Sequence, residues 1–84
     1  MEEKLTLNDG TELQGHAIET ETRLFVYVWG KTLTEVFELL NDPEKTKRII
    51  AERYGEMQTF RGYKRLMSIS DEGSGMISAS LKKA

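Results

Sequence analysis

The sequence predicts a small α+β domain: an antiparallel β-meander, one amphipathic helix over about residues 33–41, and then C-terminal β-hairpin structure. Three observations carry that prediction. Arg23 to Trp29 holds six consecutive apolar or aromatic residues closed by Gly30. A run of that length suits a strand buried on both faces, with Leu24, Val26 and Val28 on one and Phe25, Tyr27 and Trp29 on the other. After Gly30 the period changes: Leu33, Val36, Phe37 and Leu40 fall at i, i+3, i+4 and i+7, a single helical stripe. Turn-forming residues then divide the rest of the chain into short runs of strand length.

Taken in order, Lys4 to Leu7 alternates, with Leu5 and Leu7 on one face, and Asn8-Asp9-Gly10 is a turn. Thr11 to Glu19 resumes extended structure, and Gly15 inside it predicts a bulge or bend. Glu19 to Thr22 is a polar connection into the apolar strand. Thr32 followed by Glu35 has capping-box spacing, and Asn41-Asp42-Pro43 stops the helix, since a residue before proline avoids the α region.

Residues 43–62 support two readings. In one, Asp42 caps a second helix that begins at Pro43 and runs to Tyr54, with Gly55 as its C′ residue. In the other, a single helical turn at 43–47 precedes a strand from Arg48 to Tyr54. A Gly55-Glu56 turn then leads into a return strand, Met57 to Tyr63, with Glu52 facing Thr59 and Ala51 facing Phe60. Isoleucines 49 and 50 favour the strand, whereas Ala51-Glu52-Arg53 favours the helix. The last third is clearer. Lys64 to Ser70 and Met76 to Leu81 form a hairpin in which Ile69 faces Ile77 and Met67 faces Ala79. Serines 68, 70, 78 and 80 line its other side, and Lys82-Lys83-Ala84 frays.

Eighty-four residues make one domain, residues 1–84, that buries roughly 60–65% of its unfolded surface. A core of that size is usually reinforced by disulfides, a metal or association. With no cysteine and one histidine, the first two are not expected, and association is the reinforcement left open. Met1-Glu2-Glu3-Lys4 is acidic and no apolar stretch of leader type follows, so the expected location is the cytoplasm of a host cell or an assembled particle. The apolar strand is too short to cross a bilayer, and no membrane partner is expected. The net charge of −2 is unevenly spread. Residues 1–42 carry nine acids against three bases, and residues 43–84 nine bases against five acids. Either the two halves neutralise each other across one surface, or an acidic and a basic pole meet head to tail in an assembly.

No pattern of catalytic residues is present. His16 has no nucleophile or carboxylate placed against it by sequence and reads as a surface or edge histidine. Gly73-Ser74-Gly75 follows an acidic pair and reads as a hairpin turn, not a phosphate loop. Neither enzymatic activity nor a cofactor is expected. The stretch with binding character is Phe60-Arg61-Gly62-Tyr63-Lys64-Arg65. Together with Arg48 and Arg53 it defines a candidate interaction surface of Arg48, Arg53, Arg61, Tyr63, Lys64 and Arg65. Two uses are open: a contact with protein, or phosphate tracking with Tyr63 stacking a base. If instead Phe60 and Tyr63 point inward, the bases form only a solvated face. Arg23, Tyr27 and Trp29 form an aromatic contact patch should one face of their strand lie uncovered.

The order of these signals resembles small proteins of the virion-structural gene cassettes of tailed phages and of prophages in Gram-positive bacteria. The resemblance rests on Asp9-Gly10-Thr11 before an apolar strand, a short helix, the Asn41-Asp42-Pro43-Glu44 break, a hairpin leading into Gly62-Tyr63, and a closing strand pair. It favours the hairpin reading of residues 48–62. It implies a non-enzymatic protein that acts by protein–protein contact, including self-association, in head–tail or tail assembly. The alternative is a nucleic-acid-binding or regulatory protein that uses the basic-aromatic stretch.

Overall fold

The computed structural model describes residues 3–83. Over these residues the chain forms seven strands and two helices: β1 Lys4–Thr6, β2 Glu12–Glu19, β3 Leu24–Trp29, α1 Leu33–Leu40, α2 Pro43–Thr46, β4 Arg48–Arg53, β5 Glu56–Arg61, β6 Arg65–Asp71 and β7 Met76–Lys82. All strand pairs are antiparallel, in one sheet of order β5-β4-β1-β2-β3-β7-β6. This is a small α+β fold dominated by its sheet.

The connection between the two edge strands sets the shape. A flat sheet of seven strands would hold β5 and β6 about 29 Å apart at the usual strand spacing. Only Gly62 to Lys64 joins them, a link that reaches at most about 14 Å. The sheet must therefore roll until its edges approach, and the molecule measures 30 × 28 × 25 Å. Rolling gives the sheet an inside and an outside. Leu5, Leu13, Leu24, Val26, Val28, Ile49, Phe60, Ile77, Ala79 and Leu81 point inward to one core, which Val36 and Leu40 of α1 join. Helix α1 packs against α2 and β6.

Local chemistry explains the elements. Thr32 caps α1 in a complete capping box: its hydroxyl accepts from the Glu35 N–H at 3.1 Å, and the Glu35 carboxylate accepts from the Thr32 N–H at 2.9 Å. That backbone hydrogen bond, donated by Thr32, holds the Glu35 carboxyl below the ordinary carboxylate range. Asp42 caps α2 and Pro43 occupies its first turn. Residues 43–62 thus form a helical turn and a hairpin, not a second long helix.

The register departs from expectation in both later hairpins. In β4–β5 the pairs are Ile49↔Phe60, Ala51↔Gln58 and Glu52↔Met57, two residues away from those predicted. The turn is Tyr54-Gly55, both with positive φ (54° and 80°), the type I′ geometry that matches strand twist. A slip of two preserves the faces and puts Phe60 opposite Ile49 in place of the smaller Ala51. In β6–β7, Ile69 faces Ala79 and Asp71 faces Ile77. A bulge between Leu66 and Ser68 lets Leu66 meet Leu81, and Met67 is exposed. Lys82 is paired with Arg65 and so is not frayed. Ala84 and the first two residues of the expected leader-free start lie outside the described residues.

Three further expectations are corrected. The β2–β3 register runs without a break from Gln14↔Trp29 to Glu19↔Leu24, so Gly15 marks no bulge between them. It marks a close approach: a Cβ at position 15 would stand 2.0 Å from the Tyr27 carbonyl oxygen. In α1, Val36 and Leu40 are buried and Leu39 is packed against the core, whereas Leu33 and Phe37 are 40% and 44% exposed. The short helix is rotated toward its 36/39/40 edge. Finally, β3 is covered on one face only. Leu24, Val26 and Val28 are buried, but the helices pack on the inner side, and Phe25, Tyr27 and Trp29 are only partly buried.

Two stability measurements test this account. Gly15→Ala should lower unfolding free energy by about 2–3 kcal/mol in urea titration, because the methyl group displaces backbone and not a flexible side chain. Tyr54→Asn should raise it by about 0.5–1 kcal/mol, since asparagine tolerates the left-handed conformation that tyrosine resists.

Candidate interaction surface

The antiparallel register arranges the outer face of β2, β3, β7 and β6 in rows. Ile18, Phe25, Ser80 and Ser68 form one; His16, Tyr27, Ser78 and Ser70 the next; Gln14, Trp29 and Met76 a third. Alternation explains the content: the residues between the core positions of β3 are all aromatic, while those of β6 and β7 are serines. The result is a file of three aromatics at steps of roughly 6.7 Å, flanked by small hydroxyls. A hollow lined by Phe25, Tyr27, Ser68, Glu72, Met76 and Ser78 lies over it.

Polar contacts fix this face. Ser68 and Ser80 share a 2.7 Å hydrogen bond, and Arg23 Nη1 donates to Ser80 Oγ at 3.4 Å. Ser78 Oγ donates to Glu72 Oε2 at 2.5 Å. At one end of the face Arg65 is paired with Lys82, and Arg23 precedes Leu24, the partner of Leu81. Three cations therefore edge the aromatic file.

His16 is not on a sheet edge but lies, partly exposed, on the outer face. It sits within β2, its ring centroid 5.0 Å from that of Tyr27 and 5.5 Å from that of Trp29. Its Nδ1 lies 3.2 Å from Glu3 Oε1, and Arg53 Nε is 3.5 Å from the same oxygen. Neither Nδ1 nor Oε1 makes a hydrogen bond of good geometry, so the two groups are close neighbours and not an aligned base–carboxylate dyad. A hollow beside the β4–β5 hairpin is lined by His16, Glu52, Arg53, Tyr54, Glu56 and Met57 among others. Among the described residues no group of three or more His, Cys, Asp or Glu side chains is placed to hold a metal ion.

The fold separates the aromatics of the basic-aromatic stretch from its bases. Tyr63 is 3% exposed, so its ring is not free to stack a base. Its hydroxyl donates to Glu19 Oε2 at 2.5 Å, and Lys83 Nζ lies 5.2 Å from its ring centroid. Burial, reinforced by that hydrogen bond and the Glu19 charge, pushes the phenol up to about 12. Tyr63 thus ties the β5–β6 link to the end of β2. Phe60 is likewise in the core. Arg48 and Arg61 stand directly opposite each other, and Arg48 Nε is buried without a partner. Lys64 and Arg65 are exposed just beyond the Gly62 corner, at the start of the β6 edge that the roll brings back toward β5. Arg53 is at the far end of β4, roughly 17 Å from Arg48, with its guanidinium 5.2 Å from the Tyr54 ring centroid. The outer aromatic file was foreshadowed by period-2 alternation in Arg23–Trp29. Its serine border depended on a pairing of β3 with β7 that no local signal announces.

Comparison with protein-family models, with curated proteins and with solved structures finds no match to this chain. Among the described residues no helix is long and apolar enough to cross a membrane.

The Tyr63 phenol gives a pH test. Its folded value lies above the unfolded value of about 10, so the stability linked to it is intact below pH 10 and is lost as pH rises toward 12. Urea midpoints measured from pH 9 to 12 should fall more steeply for the wild-type chain than for Tyr63→Phe. At neutral pH that variant should lose about 1 kcal/mol, the worth of one hydrogen bond.

Proposed function

We propose that this chain is a non-enzymatic protein-interaction domain whose working surface is the outer face of β3. The observation that carries the reading is the file Phe25, Tyr27 and Trp29, partly exposed on a sheet face that no helix crosses. Aromatic side chains offer large contact area at low cost in side-chain entropy, and tryptophan and tyrosine are the common anchors of protein interfaces. The resemblance to small virion-cassette proteins supplies the setting: a prophage-encoded component of head–tail or tail assembly, working in the host cytoplasm or within the particle.

A photo-crosslinking residue at position 27, expressed in the host, should yield a protein adduct that the same residue at Glu12 does not. Failure to form any protein adduct from position 27 rejects the reading. Mass spectrometry of purified particles tests the setting, and absence of the chain from particles and assembly intermediates removes it.

A second reading, binding of nucleic acid, draws on the cross-strand pair Arg48 and Arg61. Like charges directly opposite each other are unfavourable unless an anion joins them. Tyr63 takes no part. On this reading, fluorescence anisotropy with labelled single-stranded DNA, duplex DNA or RNA should show binding that weakens steeply with salt and is reduced in Arg61→Ala. No binding at low salt discards it.

A further inference from the structure

The outer face of β4 and β5 carries a pair of cations that the chain does not neutralise. Gly62 N–H donates to the Lys47 carbonyl at 3.1 Å, so those two residues occupy a hydrogen-bonded position of the ladder. Arg48 and Arg61 are the next pair, at a position that no backbone hydrogen bond joins. Residues opposed in this way stand about 4.5 Å apart at Cα, with their side chains close together on one face. Ile49 and Phe60, the pair that follows, point into the core, so the two arginines point outward. Among the described residues neither arginine forms an ion pair with a carboxylate. The two segments that this pairing joins, residues 45–48 and 61–65, hold six bases and no acid. Arg61 is exposed, whereas Arg48 is half-buried and its Nε is shut off from solvent without an acceptor. A buried donor without an acceptor is rare in folded chains, and it points to an acceptor supplied from outside the chain.

We infer that Arg48 and Arg61 together form a site for a dianionic phosphate, either the free ion or a phosphomonoester. Two adjacent guanidiniums match a group that carries about two negative charges and several acceptor oxygens, whereas a carboxylate answers only one of them. Once the Arg48 guanidinium turns about the last bonds of its side chain, its Nε–H and an outer N–H of the same fork donate side-on to two phosphate oxygens. The exposed Arg61 fork donates to the oxygens that remain. The bound phosphate supplies the missing acceptor and removes the repulsion between the two cations. This ligand differs from the one in the nucleic-acid reading, which invokes the same pair: each phosphate of a nucleic-acid backbone carries a single charge and leaves one arginine unanswered.

Urea unfolding of the full chain tests the site, with sodium phosphate added above its second pKa and ionic strength held constant with sodium chloride. The midpoint should rise with millimolar phosphate, and the folded-to-unfolded ratio should grow about tenfold at ten times the dissociation constant. Arg48→Gln and Arg61→Gln should each lose this response, and Lys31→Gln, an equal change of charge elsewhere, should keep it. A rise shared equally by all four chains is the general stabilisation that excluded salts give, and it overturns the site. No response, or a response that needs only one of the two arginines, overturns it as well. In heteronuclear NMR the Arg48 Nε–H signal should shift during the same titration, and a stationary signal overturns the side-on contact. Should Arg48→Gln fail to fold, Arg61→Gln and this signal decide the matter. Phenyl phosphate separates the sources: a response to it and to inorganic phosphate marks a site open to monoesters, and a response to inorganic phosphate alone marks a site for the free ion. Dimethyl phosphate, a singly charged diester, should have little effect, and an equal response to it overturns the dianion assignment. Oligonucleotide binding without a phosphate response rejects the site and keeps the nucleic-acid reading, and the converse keeps the site and rejects that reading.

Discussion

Three residues, Gly62 to Lys64, join the opposite edges of a seven-stranded sheet, and their short reach governs the rest of the structure. A sheet that must bring its edges together has to roll, and a rolled sheet has one dry side. Alternating residues of the strands are then sorted: most leucines, isoleucines and valines face inward with Phe60, and the aromatics of β3, the serines and the charges face outward with Ile18. Tyr63 lies within the link itself, buried and hydrogen-bonded to Glu19, so the closing segment is fastened from inside as well as limited in length.

Sorting by one constraint leaves the helices a modest role. With the walls of the core supplied by strands, α1 contributes Val36, Leu39 and Leu40 and retains two large apolar side chains in solvent. The outer side of β3 likewise receives no helix, and its aromatics are only partly buried by neighbouring side chains. A chain of this size has too few elements to shield both sides of its sheet, and it leaves an apolar pair exposed on α1 and an aromatic file partly exposed on β3.

Much of this was legible in the residues. The alternation in Arg23–Trp29, the Thr32–Glu35 capping box and the Asp42-Pro43 break each act over a few residues, and each marks an element that is there. What was not legible depends on distant pairing. Local composition reads β3 as covered on both faces, because a run of apolar residues looks the same whether a helix or only solvent lies beyond it. Both later hairpins were placed two residues out, since a slip of two keeps the hydrophobic pattern and only the choice of turn separates the registers. Gly15 suggested a bulge or bend because sequence cannot show that a carbonyl on a neighbouring strand stands where a side chain would go. The basic stretch from Arg48 to Arg65 looked uniformly exposed, yet Phe60 and Tyr63 are in the core and Arg53 is at the far end of β4.

The placement of β1 bears on how the chain acquires its shape. Leu5 pairs on one side with Leu13, a neighbour in sequence, and on the other with Ala51. During synthesis the first hairpin can form as soon as it leaves the ribosome, but one flank of β1 stays bare until more than half the chain has followed. Folding is thereby delayed to a late, long-range closure of the kind that slows β-rich domains, and the nascent chain carries an unpaired strand flank that other chains can reach.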